Sequence, residues 1–193
     1  MRVKLGVPLL LAAILGACSS VPPPAKQDPL SQASSVSVTL PGFVVEPGTT
    51  LHWRSDLRWM DDPDGQSKNR AEVLQQALQR EFERKGFSFM PTSDAATYDV
   101  VAVAVLGALQ DQKKLESVYR LYPSLAKPVK GYGVGTVLVA IAPSGTQDVV
   151  WRGALEVFTY PGHLPVEKRY ERLAWAAAKL LATIPAVPAN PSP

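Results

Sequence analysis

The chain predicts an α+β fold, a mainly antiparallel sheet with two helices packed on one face as a two-layer sandwich. Three observations carry this. Two valine-rich apolar runs, 98–106 (YDVVAVAVL) and 134–142 (VGTVLVAIA), have the composition of central strands. Residues 148–160 (DVVWRGALEVFTY) follow the second run after a Pro-Ser-Gly-Thr turn, as a hairpin partner would. Two stretches, 67–85 and 165–184, repeat apolar residues at helical spacing.

The first element in the chain is a leader. Arg2 and Lys4 precede a short apolar run that ends in Leu15-Gly16-Ala17-Cys18. Residues 5–17 are too few to span a hydrocarbon core, which needs about 20 apolar residues. A charged start, a short apolar stretch and small residues before a cut form an export signal. The stretch resembles the lipobox of bacterial lipoproteins, in which the cysteine after the cut takes up lipid, palmitate among it. Cys18 is the only cysteine in the chain. The competing reading is a signal cut without lipidation, which would leave an unpaired thiol in an oxidising compartment. Ser19 follows the cysteine where inner-membrane retention in enteric bacteria uses aspartate. The expectation is therefore an outer-membrane lipoprotein facing the periplasm, with the inner membrane's periplasmic leaflet as the alternative.

Cutting before Cys18 removes Arg2 and Lys4 and lowers the formal net charge from +3 to +1. That gives no reason to expect nucleic acid. One cysteine allows no disulfide framework and no cysteine-based metal site. The predicted organisation is signal peptide 1–17, lipidated cysteine and tether 18–35, a single domain 36–185 and a proline-rich disordered tail 186–193. The tether is rich in proline and serine, cannot bury enough apolar surface to order itself, and reaches on the order of 50 Å when extended.

Inside the domain, residues 36–40 (VSVTL) alternate as a half-buried strand does, and 49–54 (TTLHWR) form a second strand. Asp61-Asp62-Pro63-Asp64-Gly65 is a turn. Ala71, Leu74, Ala77, Leu78 and Phe82 line one face of the first helix, and Gly86 stands where a left-handed stop belongs. Residues 87–90 form a short strand. Pro165 opens the last helix, whose predicted apolar stripe is Val166, Tyr170, Leu173, Ala174, Ala177, Leu181 and Ile184, and Pro185 ends it.

Several of these segments together resemble the bacterial lipoprotein family built around the domain of unknown function 4136. They are Leu51-His52-Trp53, the helix end LQREFERKGF at 78–87, Tyr98-Asp99-Val100-Val101, Gly135-Thr136-Val137-Leu138-Val139, Val150-Trp151-Arg152-Gly153 and LLATIP at 180–185. Residues 110–130 depart most from the pattern. The resemblance implies this fold and an envelope location, and it brings no catalytic residue.

Candidate sites are few. The aspartates before Gly65 miss the calcium-loop spacing, since Met60 and Ala71 stand where ligands would be needed. Gly131-Tyr132-Gly133-Val134-Gly135 leads into a strand rather than the helix a phosphate loop requires. His52 and His163 have no partner at metal-ligand spacing, and there is no nucleophile elbow. Trp53 and Trp151 read as core or interface anchors. The best recognition element is 109–132, with candidate partner-binding residues Lys113, Lys114, Tyr119, Arg120, Tyr122, Lys127 and Tyr132. Leu115, Val118, Tyr119 and Tyr122 share one face of a possible short helix, so the same residues could instead pack on the sheet. The expectation is a non-catalytic binding or accessory module without cofactor or metal. It is held to the membrane by its lipid and partnered by an envelope protein or anionic lipid. The alternatives are a periplasmic hydrolase of peptidoglycan or a related polymer, and a carrier of an apolar ligand.

Overall fold

The computed structural model of the chain describes residues 28–60, 67–106, 117, 120–125, 129–160, 162 and 164–189. The fold is α+β, with an open, mostly antiparallel seven-stranded sheet and two long helices. The strands are β1 (Ala33–Thr39), β2 (Thr50–Trp53), β3 (Arg58–Met60), β4 (Ser88–Phe89), β5 (Tyr98–Leu106), β6 (Gly133–Pro143) and β7 (Trp151–Thr159). The helices are α1 (Ser67–Arg84) and α2 (Val166–Leu180). The spatial order is β1-β7-β6-β5-β2-β4, with β3 also on β5.

The valine-rich runs form the centre, as their composition requires. β5 pairs antiparallel with β6 from Tyr98↔Pro143 to Leu106↔Gly135, and β6 with β7 from Gly133↔Thr159 to Ile141↔Trp151. Gly145, at φ +76, closes the turn between β6 and β7. On the other side of β5 the pairing is parallel. β2 takes its first half and β3 its second, and both run in the direction of β5. They are one strand interrupted at residues 54–57. The chain steps out through Arg54, Ser55 and Asp56, and the buried Leu57 returns it with its N–H held by Gln75 Oε1 at 2.7 Å. Three residues after a polar step are too short a pattern to read, which is why β3 was not predicted.

One sheet face is covered by both helices. Leu74, Ala77, Leu78 and Phe82 of α1 are buried there, as their spacing predicts. The Phe82 ring meets Phe87 and Phe89 edge-on. Trp151 is wholly buried and lies across Gly153, where an added Cβ would come within 2.5 Å of the indole. The predicted stripe of α2 needs correction. Its buried residues are Ala176, Ala177, Leu180, Leu181 and Ile184, with Leu173 half-buried, whereas Val166, Tyr170 and Ala174 are exposed. Residues 165–171 are exposed on every side of the helix, so its first turns do not lie on the sheet. Pro165 is the N-cap rather than the first helical residue, and the helix ends at Leu180, before Pro185.

The ends of the folded region also lie outside the predicted limits. The Asp28 carboxylate caps a 3-10 turn, Pro29–Ser31, by accepting the Leu30 N–H at 2.9 Å, and β1 starts at Ala33. Residues 28–35 therefore belong to the fold and not to the tether. At the other end, the Val187 N–H donates to the Lys85 carbonyl at 2.7 Å, and the Val187 side chain packs on the core.

Candidate functional site

The second sheet face is covered at one end by the connection between β5 and β6. Leu121 is buried there among Val105, Leu138 and Ala154, with Val36, Val38, Met60 and Val103 around them. From Leu121 to Leu125 the side chains alternate. Leu121 and Pro123 are buried, Tyr122 and Ser124 are exposed, and Leu125 is half-buried. Period-two alternation is that of an extended chain. Arg120, at φ 51, turns into it, and Pro123 forbids a helix interior. This corrects the shared helical face at Tyr122, which points outward and is 64% exposed. Two bonds stitch the backbone down. The Ser124 N–H donates to Ser34 Oγ at 3.0 Å, and the Leu125 N–H donates to Glu156 Oε2 at 2.6 Å.

Of the predicted recognition residues, Arg120 and Tyr122 are exposed. Tyr132 is half-buried, with its ring 6.4 Å from Phe158 and 6.2 Å from Tyr160. Lys113, Lys114, Tyr119 and Lys127 lie outside the described residues, as do Cys18, the aspartates 61, 62 and 64, and His163. Gly131, at φ +86, makes the turn into β6, the role expected of it.

At the opposite end of this face lies an open groove of about 360 Å³, lined among others by Arg54, Asp99, Val101, Ala140, Gln147 and Val149. Sequence reading missed it, because its walls come from three distant segments. Asp99 is buried, and its carboxylate accepts the Ser93 hydroxyl at 2.9 Å and the Gly145 N–H at 3.1 Å. Arg54 donates to the Thr146 carbonyl. Asp99 thus ties two turns together at the base of the groove. The groove walls are chiefly small apolar side chains, with Arg54 as a cationic rim.

The other polar side chains singled out by sequence or burial are structural. His52 Nδ1 lies 3.1 Å from the Met90 carbonyl, and Trp53 Nε1 donates to Gln79 while its ring stacks on Phe89. Glu81 accepts two bonds from Arg84, and that hydrogen bonding, with the carboxylate's charge, holds the Arg84 guanidinium above its ordinary pKa. Arg172 joins three elements. Its guanidinium donates to the carbonyls of Leu30 and Phe158 and stands over the Trp175 ring. Burial lowers its pKa, and the charge of Asp28 partly opposes that. Among the described residues, no three His, Cys, Asp or Glu side chains gather as a metal site, and no helix is long and apolar enough to cross a membrane.

No protein-family profile matches this sequence, and no curated protein matches it. Solved structures do. A DUF4136 family protein of Bacteroides thetaiotaomicron VPI-5482 is 10% identical with a TM-score of 0.51, and the match covers 80% of this chain and 97% of that one. The PelC dodecamer of Paraburkholderia phytofirmans is 12% identical with a TM-score of 0.45, covering 78% of this chain and 96% of that one. The fold implied by the six sequence segments is therefore the fold observed, that of a DUF4136 family protein.

Proposed function

We propose that this chain is an outer-membrane lipoprotein, anchored through Cys18, whose periplasmic domain binds an envelope component and performs no chemistry. The anchoring rests on the lipobox and its single cysteine. The binding role rests on one structural observation. The connection from β5 to β6 is fastened through Leu121, Pro123 and its backbone, yet turns Arg120 and Tyr122 outward. An outward-facing tyrosine close to an exposed arginine suits recognition of an anionic partner, whether an acidic protein face or lipid head groups. The buried carboxylates support a binding module over a hydrolase. Asp99 and Glu156 each hold elements together, and Glu81 is occupied by Arg84 within α1.

A photocrosslinker in place of Tyr122, with the full chain expressed in its host, tests this reading. Capture of a defined envelope component, weakened when Lys113, Lys114 and Arg120 are changed together to alanine, is the expected result. Undiminished capture by that triple variant, with the domain still folded, overturns the assignment of the surface.

A further inference from the structure

Of the seven large apolar side chains exposed among the described residues, four gather at one end of the sheet, while Leu40 and Val44 lie at the other, beside Val150 and Tyr98, and Tyr122 lies on the β5–β6 connection. Leu106 ends β5, Tyr160 follows β7, and Val166 and Tyr170 occupy the first turns of α2. They are 36%, 49%, 47% and 44% exposed, respectively. All four belong to the same end of the sheet, where Leu106 pairs with Gly135 and Gly133 with Thr159. Tyr132, against Tyr160, adds a third ring. The first turns of α2 project past the sheet here. Seven consecutive residues, 165–171, are exposed, a helix length of about 10 Å. A packed amphipathic helix would bury one of its faces against a layer.

The N-terminal chain leaves from this same end. β1 runs antiparallel to β7, with Ala33 beside Val157. Arg172 bonds both the Leu30 carbonyl, just before β1, and the Phe158 carbonyl, at the end of β7. The exit is therefore fixed under the projecting turns of α2. From Asp28 back to Cys18 is only ten residues. Such a length of chain spans at most about 33 Å.

We propose that this end of the domain rests on the lipid bilayer, with Tyr160, Val166 and Tyr170 seated among the head groups and the groove at Asp99 turned away from the membrane. The proposal rests on the anchoring of Cys18. Tyrosine, with an apolar ring and a polar tip, belongs at a membrane–water interface. Charge does not select the occupant. Lys130, Lys168 and Arg169 are matched nearby by Asp28, Glu167 and Glu171. The short leash and the apolar projections do select it. A bilayer lies within reach of this end in every copy of an anchored protein.

The test uses the full mature lipoprotein in vesicles of phosphatidylethanolamine and phosphatidylglycerol. Cys18 is the sole cysteine, and in the anchored protein a lipid thioether blocks its sulfur, so Val166→Cys and, at the far end, Gln147→Cys each introduce one free thiol for a spin label. Collision of the label with a water-soluble nickel complex is expected to fall severalfold at position 166 between detergent and vesicles, and to stay unchanged at 147. Changing Tyr160→Ser together with Tyr170→Ser is expected to restore access at 166. Equal access at the two positions in an acylated protein overturns this orientation alone, as does protection that the tyrosine changes leave intact. Protection accompanied by dipolar broadening between labels puts a second copy on the patch and also overturns it. An intact mass without acyl chains overturns the anchoring and the orientation together.

Discussion

Asp99, Arg172 and Gly153 show how single side chains set the geometry of this domain. Asp99 links the turn at residues 93–95 to the turn between β6 and β7. Asp99→Asn keeps the shape but replaces one acceptor oxygen with a donor facing the Ser93 hydroxyl or the Gly145 N–H. Charged hydrogen bonds contribute about 1.5–3 kcal/mol, and a loss of that size in denaturant unfolding is the expected outcome. Arg172→Met keeps much of the packing on Trp175 and removes both carbonyl bonds. The expected result is a comparable loss, the same from about pH 5 to pH 8 because an arginine stays protonated throughout that range. Gly153→Ala drives a methyl into the Trp151 ring, where the gap is 2.5 Å. A residue with no free volume beside it costs about 1–3 kcal/mol to enlarge, and a thermal scan of that variant measures it.

The two helices make opposite predictions along their lengths. Leu78 and Leu181 are fully buried, and truncating either to alanine costs about 2–5 kcal/mol. Val166→Ala lies on the projecting turns and stays within about 0.5 kcal/mol of wild type, as surface changes do. A single set of denaturant curves separates the two regions of α2. These regions also mark how far the sequence could be read. α1 was legible because burial on one face writes a strict period into its residues, and the central strands because burial on both faces makes them continuously apolar. The stripe drawn through Val166 and Tyr170 failed because apolar residues at helical spacing mark a face that meets something apolar, and the sheet is only one candidate. In the β5–β6 connection, Leu115, Val118, Tyr119 and Tyr122 stand at helical spacing in the sequence, and that reading ignores Pro123 directly after them. The groove was illegible altogether. Arg54, Asp99 and Val149 share no local pattern, and only the pairing of β5 with β2 on one side and with β6 on the other brings their segments together.

For the molecule as a whole, anchoring and fold separate cleanly. Cys18→Ser is expected to move the protein out of the membrane pellet and to leave it unprocessed or misplaced, as fractionation with intact mass will show. The mature protein is expected to exceed the mass of residues 18–193 by its acyl chains, and an unmodified cysteine at the mature N-terminus overturns the anchoring. The folded region includes the Asp28 cap and the whole of β1 from Ala33, so truncations that respect it must begin before Asp28. A chain starting at Val36 loses Ala33, Ser34 and Ser35 from β1, and with them the Ser34 hydroxyl that fastens the connection at Ser124. Such a truncation is expected to unfold at lower denaturant than one starting at residue 27.

The path of the chain through β1 has a mechanical meaning. If Cys18 carries the proposed lipid, a pull on it enters the domain at the start of β1 and runs along its axis. β1 is bonded lengthwise to β7 through seven residue pairs, from Ala33↔Val157 to Thr39↔Trp151. Tension directed along the strand loads those pairs together in shear instead of peeling them one after another. The guanidinium that bridges Leu30 and Phe158 sits at the point where the force arrives. Resistance to such a force is a matter of unfolding rate rather than equilibrium stability. With the proposed anchor at Cys18, the domain would be loaded in the direction in which a pair of strands gives way most slowly.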